Sequence, residues 1–206
     1  MKVMLLNGSP RGRKCTYTAL LVMSKRFNEL GIDTEIFNVG TTPVAGCIGC
    51  GSCTKNGKCF VDDGVNEFVM KMNKADGLIV GSPVHYAGAG GHVTCFLDRV
   101  FYSGGRNLSG KPGAAIVSCR RGGASAAFDQ LNKYFTINNM PVVSSNYWNQ
   151  VHGNTPEEIM KDEEGIQTLI NLADNMSWLL KCIQAGKEKG IEQPVYPPKI
   201  KTNFIR

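Results

Sequence analysis

Four cysteines, Cys47, Cys50, Cys53 and Cys59, follow one another at the spacing C-x2-C-x2-C-x5-C. Thiols crowded in this way call for chemistry, because structural disulfides are rare where glutathione and thioredoxin keep cysteines reduced. Zinc sites usually draw cysteine pairs from two knuckles a dozen or more residues apart. Cysteines at successive spacings of three instead match the thiolate cradle of an iron–sulfur cluster. Gly46, Gly49, Gly51 and Gly57 leave the backbone free to wrap closely around such a group. On spacing alone, redox-active or inert thiols and zinc stay open as alternatives. The other four cysteines, Cys15, Cys95, Cys119 and Cys182, are scattered and read mostly as small apolar fillers.

Three further segments carry more glycine, hydroxyl and charge than packing requires: Gly8 to Thr18, Gly81 to Gly91, and Ser118 to Gly123. In the first, glycines allow close backbone approach to an anion, and the helix that follows presents its N-terminal N–H groups. The segment matches neither G-x-G-x-x-G nor G-x-x-x-x-G-K-[ST], so it supports neither a dinucleotide fold nor a nucleoside triphosphatase. Its hydroxyls fit a phosphate monoester, with Ser9, Thr16, Tyr17 and Thr18 as candidate donors and Arg11 nearby.

The elements that must position these loops follow from periodicity. Val3–Leu6, Thr34–Val39, Leu78–Val80, Ala114–Val117 and Pro141–Val143 read as strands. Between them run helical stripes: Leu20 to Leu30, Val65 to Met72 behind an Asp63 cap, Val93 to Phe101, and Ala124 to Phe135. A last helix is expected over about 164–184. Strands that alternate with helices and carry continuous apolar runs predict an α/β, doubly wound five-stranded parallel sheet with helices on both faces. Ligands bind such sheets outside the carboxyl ends of the strands, where the winding reverses, and the three loops sit there.

Bulk composition limits the remaining classes. The 206 residues are 42% hydrophobic and 19% charged, ordinary for a globular chain. No apolar run approaches the roughly 20 residues of a membrane helix. The N-terminus reads as a first strand and not a leader, so a cytoplasmic location is expected. The net charge of +6 is spread along the chain and not gathered into the patch of a nucleic-acid binder.

Gly8-Ser9-Pro10-Arg11 with its Thr-bearing helix start, Gly81-Ser82-Pro83-Val84-His85-Tyr86, and Phe96-Leu97-Asp98-Arg99 resemble the NAD(P)H-dependent FMN reductase branch of the flavodoxin-like superfamily. The resemblance spans residues 1 to about 150. It implies an FMN site in which Ser9, Arg11, Cys15, Thr16, Tyr17 and Thr18 hold the phosphate. Ser82, Pro83, Val84, His85, Tyr86 and Ala87 would line the flavin ring, and Cys119, Arg120, Arg121, Gly122 and Gly123 would close its other side. Arg13-Lys14-Cys15 departs from the smaller loop of many relatives. The compact cysteine spacing resembles the iron–sulfur flavoprotein subgroup, which implies a 4Fe–4S cluster on Cys47, Cys50, Cys53 and Cys59.

The chemistry would be flavin-centred, with no acid–base duty for His85, and His92 and His152 incidental. The first expectation is an oxidoreductase moving electrons from NAD(P)H or ferredoxin through FMN and the cluster. A cluster-free NAD(P)H-dependent reductase of quinones, azo or nitro compounds or free flavin is the alternative. A flavodoxin-like carrier needs an acidic docking face, which +6 disfavours. The flavodoxin-like domain is expected over 1–187, with the cysteine-rich loop 43–62 inserted and an extended tail over 188–206. The resemblance further implies a homodimer or homotetramer that acts on a small-molecule acceptor or a redox protein.

Overall fold

In the computed structural model, which describes residues 1–198, 200 and 202, the N-terminal apolar run forms β1 (Lys2–Asn7). Helix α1 (Cys15–Glu29) returns to β2 (Asp33–Asn38), which pairs parallel with β1. A long excursion containing the short α2 (Ser52–Asn56) leads to α3 (Gly64–Asn73). Asp63 caps α3, its Oδ1 accepting from the Val65 amide at 3.2 Å. Next come β3 (Gly77–His85), β4 (Gly88–Ala89), α4 (Gly91–Gly104) and a 3₁₀ turn, Gly105–Leu108. Then follow β5 (Gly113–Cys119), α5 (Ala124–Thr136), β6 (Gln150–His152), α6 (Pro156–Ile159) and α7 (Glu163–Glu188).

The strand order is β2-β1-β3-β5-β6, all parallel, with β4 folded back antiparallel on the end of β3. This is the flavodoxin-like order, whose winding reverses between β1 and β3. Burial on both faces explains why the central strands β1, β3 and β5 are largely apolar. Met4, Leu6, Leu78 and Val80 face a core shared with α3, α4 and α5. Val3, Leu5, Ile79 and Ile116 face the opposite core, built with α1 and α7. Among the described residues, no helix is long and apolar enough to cross a membrane.

Two expectations need correction. The fifth strand is Gln150–His152, not Pro141–Val143; the earlier segment makes one parallel bridge, Gly113 to Val142. Pro141 has no N–H to donate, and Val142 is 39% exposed, so this segment leaves the sheet after one contact. The third strand also extends past Val80, because residues 81–85 continue the pairing and then turn into the hairpin with β4. The C-terminal segment has no regular structure over 191–198; the rest of the expected tail at 199, 201 and 203–206 lies outside the described residues.

The carboxyl edge is tightest at Gly8. Its amide donates to the Gly81 carbonyl at 2.9 Å, and an added Cβ would lie 2.5 Å from Val93 Cβ and 2.9 Å from that carbonyl. Overpacking of this kind costs about 1–3 kcal/mol. Gly8→Ala is therefore expected to lower the urea midpoint of the flavin-free protein by a corresponding amount with an unchanged slope, measured by circular dichroism.

Candidate active site

A cavity of about 480 Å³ opens at the carboxyl ends of β1, β3 and β5. The loop along one side of it is held by Asn7, which is fully buried where β1 ends. Asn7 Nδ2 donates to the Gly12 carbonyl at 3.0 Å and to Asn38 Oδ1 at 2.9 Å, while its Oδ1 accepts from the Ser9 amide at 3.2 Å. Ser9 Oγ in turn accepts from the Arg11 amide at 3.3 Å. One buried amide side chain thus shapes the whole first loop.

Helix α1 starts in this cavity without a side-chain cap. The unpaired N–H groups of a first turn, with the helix dipole behind them, favour an anion there. Thr16 is buried, and its Oγ1 lies 2.7 Å from Ser118 Oγ, which ties the start of α1 to the end of β5. Arg11, Lys14 and Arg120 stand on the rim, opposed by Glu157. Pro83 and Val84 supply an apolar wall.

Of the expected residues, Ser9, Arg11, Cys15, Thr16, Pro83, Val84, His85, Cys119 and Arg120 line this cavity together. The others do not line it. Tyr17 is half-buried under the Arg13 guanidinium, 5.6 Å from its ring centre, and Thr18 Oγ1 donates to the Lys14 carbonyl at 3.2 Å. Ser82 has a structural contact: its Oγ donates to the Pro83 carbonyl and accepts from the Gly90 amide at 3.0 Å, which closes the β3–β4 hairpin. Tyr86 and Ala87 form that hairpin's tip with φ of 49° and 57°. A two-residue turn of this hand needs positive φ at both positions, a cost that non-glycine residues bear only where the surroundings hold them. The Arg121 carbonyl accepts from Cys119 Sγ at 3.3 Å, Gly122 is exposed, and Gly123 packs against Ala87 at the start of α5.

A second cavity, of about 170 Å³, lies within the loop after β2 and is lined by all four clustered cysteines. Cys47 and Cys50 are exposed, while Cys53 and Cys59 are partly covered. Gly49, Gly51 and Gly57 adopt left-handed φ of 66°, 71° and 73°, so the loop does curl where its glycines allow. Beneath it lies Arg99 of α4, only 2% exposed, whose Nε donates to Cys59 Sγ at 3.3 Å. Burial works against the ionised Asp63 carboxylate, but the Arg99 guanidinium and the Val65 amide outweigh it and hold Asp63 below the usual range. The same pairing raises Arg99.

Residues 1–155 match the family NADPH-dependent FMN reductase. The chain belongs to that family. As a member it is a flavin oxidoreductase with an FMN site. It is 32% identical to an iron–sulfur flavoprotein of Methanocaldococcus jannaschii, over 89% of this chain and 100% of that one. An iron–sulfur flavoprotein of Methanosarcina thermophila is 31% identical over 92% and 100% of the two chains. A flavodoxin from the domain Archaea superposes with a TM-score of 0.60 at 16% identity, covering 88% of this chain and 99% of that one, which confirms the fold.

The first cavity suits the FMN of this family: donors and cations cluster at the bare start of α1, and the apolar wall lies beside them. The second cavity suits a group that several thiolates share, because four cysteines face one space with a buried donor on one sulfur. Among the described residues, no three His, Cys, Asp or Glu side chains are gathered tightly enough for a single metal ion. A cluster takes its thiolates on different irons, so they need not converge on one point.

Pro10, Lys14 and Ser118 of the expected loops also line this cavity, and the expected residues include neither Asn7 beside it nor the stretch Gly153–Glu157. That stretch follows β6, a strand without a readable period. Asn7 carried a signal of its own, a polar residue closing an otherwise apolar strand.

Asn7→Ala leaves the Gly12 carbonyl and the Ser9 amide without their partner, a loss of about 1–3 kcal/mol at a buried site. It is expected to release FMN faster than the parent on dilution, followed by flavin fluorescence. Burial pushes the Cys119 and Cys15 thiols above the ordinary range. A raised pKa means less thiolate at any lower pH, so both should alkylate more slowly than exposed Cys47 and Cys50 at pH 7.5. Peptide mass mapping of a timed iodoacetamide reaction checks this.

Proposed function

We propose that this protein is an FMN-dependent oxidoreductase of the iron–sulfur flavoprotein type, passing electrons from NAD(P)H or ferredoxin through FMN and a 4Fe–4S cluster to a small-molecule acceptor or a redox protein. The observation that carries this reading is the placing of all four cysteines around one cavity in the loop that follows β2. The names of the two archaeal relatives support it. Flavin supplies hydride and single-electron transfer, and an iron–sulfur centre supplies single-electron transfer.

The chain's own residues bind and orient. The first turn of α1, with Arg11 and Lys14, neutralises a phosphate monoester, and Ser9 holds the loop around it. Pro83 and Val84 present a dry face to a ring, while Cys119 and Arg120 approach from the β5 side. His85 is exposed at the mouth and contributes surface without a required proton transfer. Cys47, Cys50, Cys53 and Cys59 act as the thiolate ligands. Exposed Tyr147 and Trp148, their ring centres 5.1 Å apart and their planes tilted by 50°, and Tyr86 at the hairpin tip suit burial against a second copy, as a homodimer or homotetramer requires.

The exposure of Cys47 and Cys50 favours a second reading, a cluster-free NAD(P)H-dependent reductase. Anaerobic reconstitution with iron and sulfide separates the two. The cluster reading expects about four irons and four sulfides per flavin with broad absorbance near the flavin bands. It also expects the double variant Cys47→Ser, Cys50→Ser to lose iron but keep FMN. A parent protein that takes up no iron, with NAD(P)H oxidation undiminished in the double variant, would establish the cluster-free enzyme instead.

A further inference from the structure

Arg99 is a fully engaged guanidinium in a place where a core helix has little reason to put a charge. Its neighbours on α4, Val93, Phe96, Leu97 and Val100, all enter the apolar core. Burying a charge is costly unless it is paired and every donor is used. Here the fork is used throughout. Nη1 and Nη2 reach the two oxygens of Asp63, at 2.5 and 2.8 Å. Nη1 also reaches the Ala45 carbonyl at 3.4 Å and Nη2 the Val61 carbonyl at 3.3 Å. The remaining donor, Nε, points at Cys59 Sγ.

These partners are not a random set. Ala45 precedes the first clustered cysteine, Cys59 is the last, and Val61 and Asp63 form the exit into α3. One side chain therefore clasps both ends of the cysteine loop and one of its sulfurs. A lysine, with three donors on a single point charge, cannot make this pattern. Asp63 alone accounts for the charge, so the N–H on sulfur is an extra element that a purely structural ion pair would not need.

We propose that Arg99 is the positioning residue of the cysteine loop, holding Cys59 in place as a cluster ligand and raising the reduction potential of the centre through its N–H to that sulfur. The inference rests on the cluster reading above. Its physical basis is that hydrogen bonds to sulfur and net local charge set iron–sulfur potentials. A donor or cation stabilises the more negative reduced state. Removing the cation should shift the midpoint downward, and removing its neutralising carboxylate should shift it upward. Loosening of the loop alone gives no such pair of opposite signs.

The test compares the parent, Arg99→Gln, Arg99→Lys and Asp63→Asn as full-length FMN-loaded proteins after anaerobic reconstitution. The midpoint potential is followed by dye-mediated titration with electron paramagnetic resonance. Arg99→Gln is expected to titrate at a more negative potential, Arg99→Lys at a smaller negative shift, and Asp63→Asn at a more positive one. Hydrogen exchange over residues 45–61 of the metal-free proteins is expected to speed up several-fold in Arg99→Gln. If that variant does not retain FMN or iron, Arg99→Lys and Asp63→Asn decide by the signs of their shifts. Unchanged potentials, or shifts of the same sign in both, overturn the proposal and leave the cluster reading intact. A parent protein that takes up no iron and sulfide overturns the cluster reading, and this inference with it.

Discussion

The end of β1 meets the middle of β3 at Gly8 and Gly81 with no room for another carbon, and the architecture of the carboxyl edge depends on that approach. A Cβ on Gly8 would enter Val93 at the start of α4, and one on Gly81 would lie 2.9 Å from Thr16 Cγ2 in α1. Two helices on opposite faces of the sheet are thereby drawn to the same crossing point. The winding reverses there, so the loops leaving β1 and β3 diverge and open a crevice between them. The bare N-terminus of α1 faces that crevice because α1 is held so close to β3. A looser crossing would still give a parallel sheet, but would not aim those N–H groups at a common point.

Helix α4 extends the consequence to the second cavity. It begins directly after the β3–β4 hairpin, whose Gly90 amide is held by Ser82 and by the Pro83 carbonyl. Its first turn touches the start of the cysteine loop through His92 Nε2 and the Gly40 carbonyl at 2.8 Å, and Arg99 reaches the loop's far end. The apolar wall of the first cavity and the cysteine loop are thus fastened to one rigid rod packed into the apolar core. Polar loops that would otherwise be mobile acquire fixed positions from a helix that gains its own stability from burial.

Most of the buried polar groups follow one pattern. Asn7, Thr16, Ser82, Arg99 and Ser118 are all buried, and each has hydrogen-bond partners close to one of the two cavities. Away from the two cavities the buried polar side chains are few: Asn149, Thr168 and Ser177. Polar burial is costly unless satisfied, so concentrating it where loops must hold unusual shapes spends stability on geometry.

The sequence by itself determined the fold class, four of the five parallel strands, the five long helices and the crowding of four cysteines in one loop. Those features rest on local periodicity, on glycine and proline punctuation, and on cysteine spacing, all of which act within a few residues. Tertiary structure alone decided which of those loop residues meet. Gln150-Val151-His152 has one apolar residue and no readable period, and it is a strand only because β5 offers it an unpaired edge. The placement of Gly153–Glu157 beside the first cavity followed from that pairing. Tyr17 and Thr18 in α1 and Tyr86 at the hairpin tip do not line the first cavity; helix phase and hairpin hand set where their side chains stand. The union of Arg99 with Cys59 spans forty residues, and no local pattern announces a contact at that separation. The four cysteines were evident from their spacing, but the single cavity they line, and the buried cation beneath it, exist only in the folded chain.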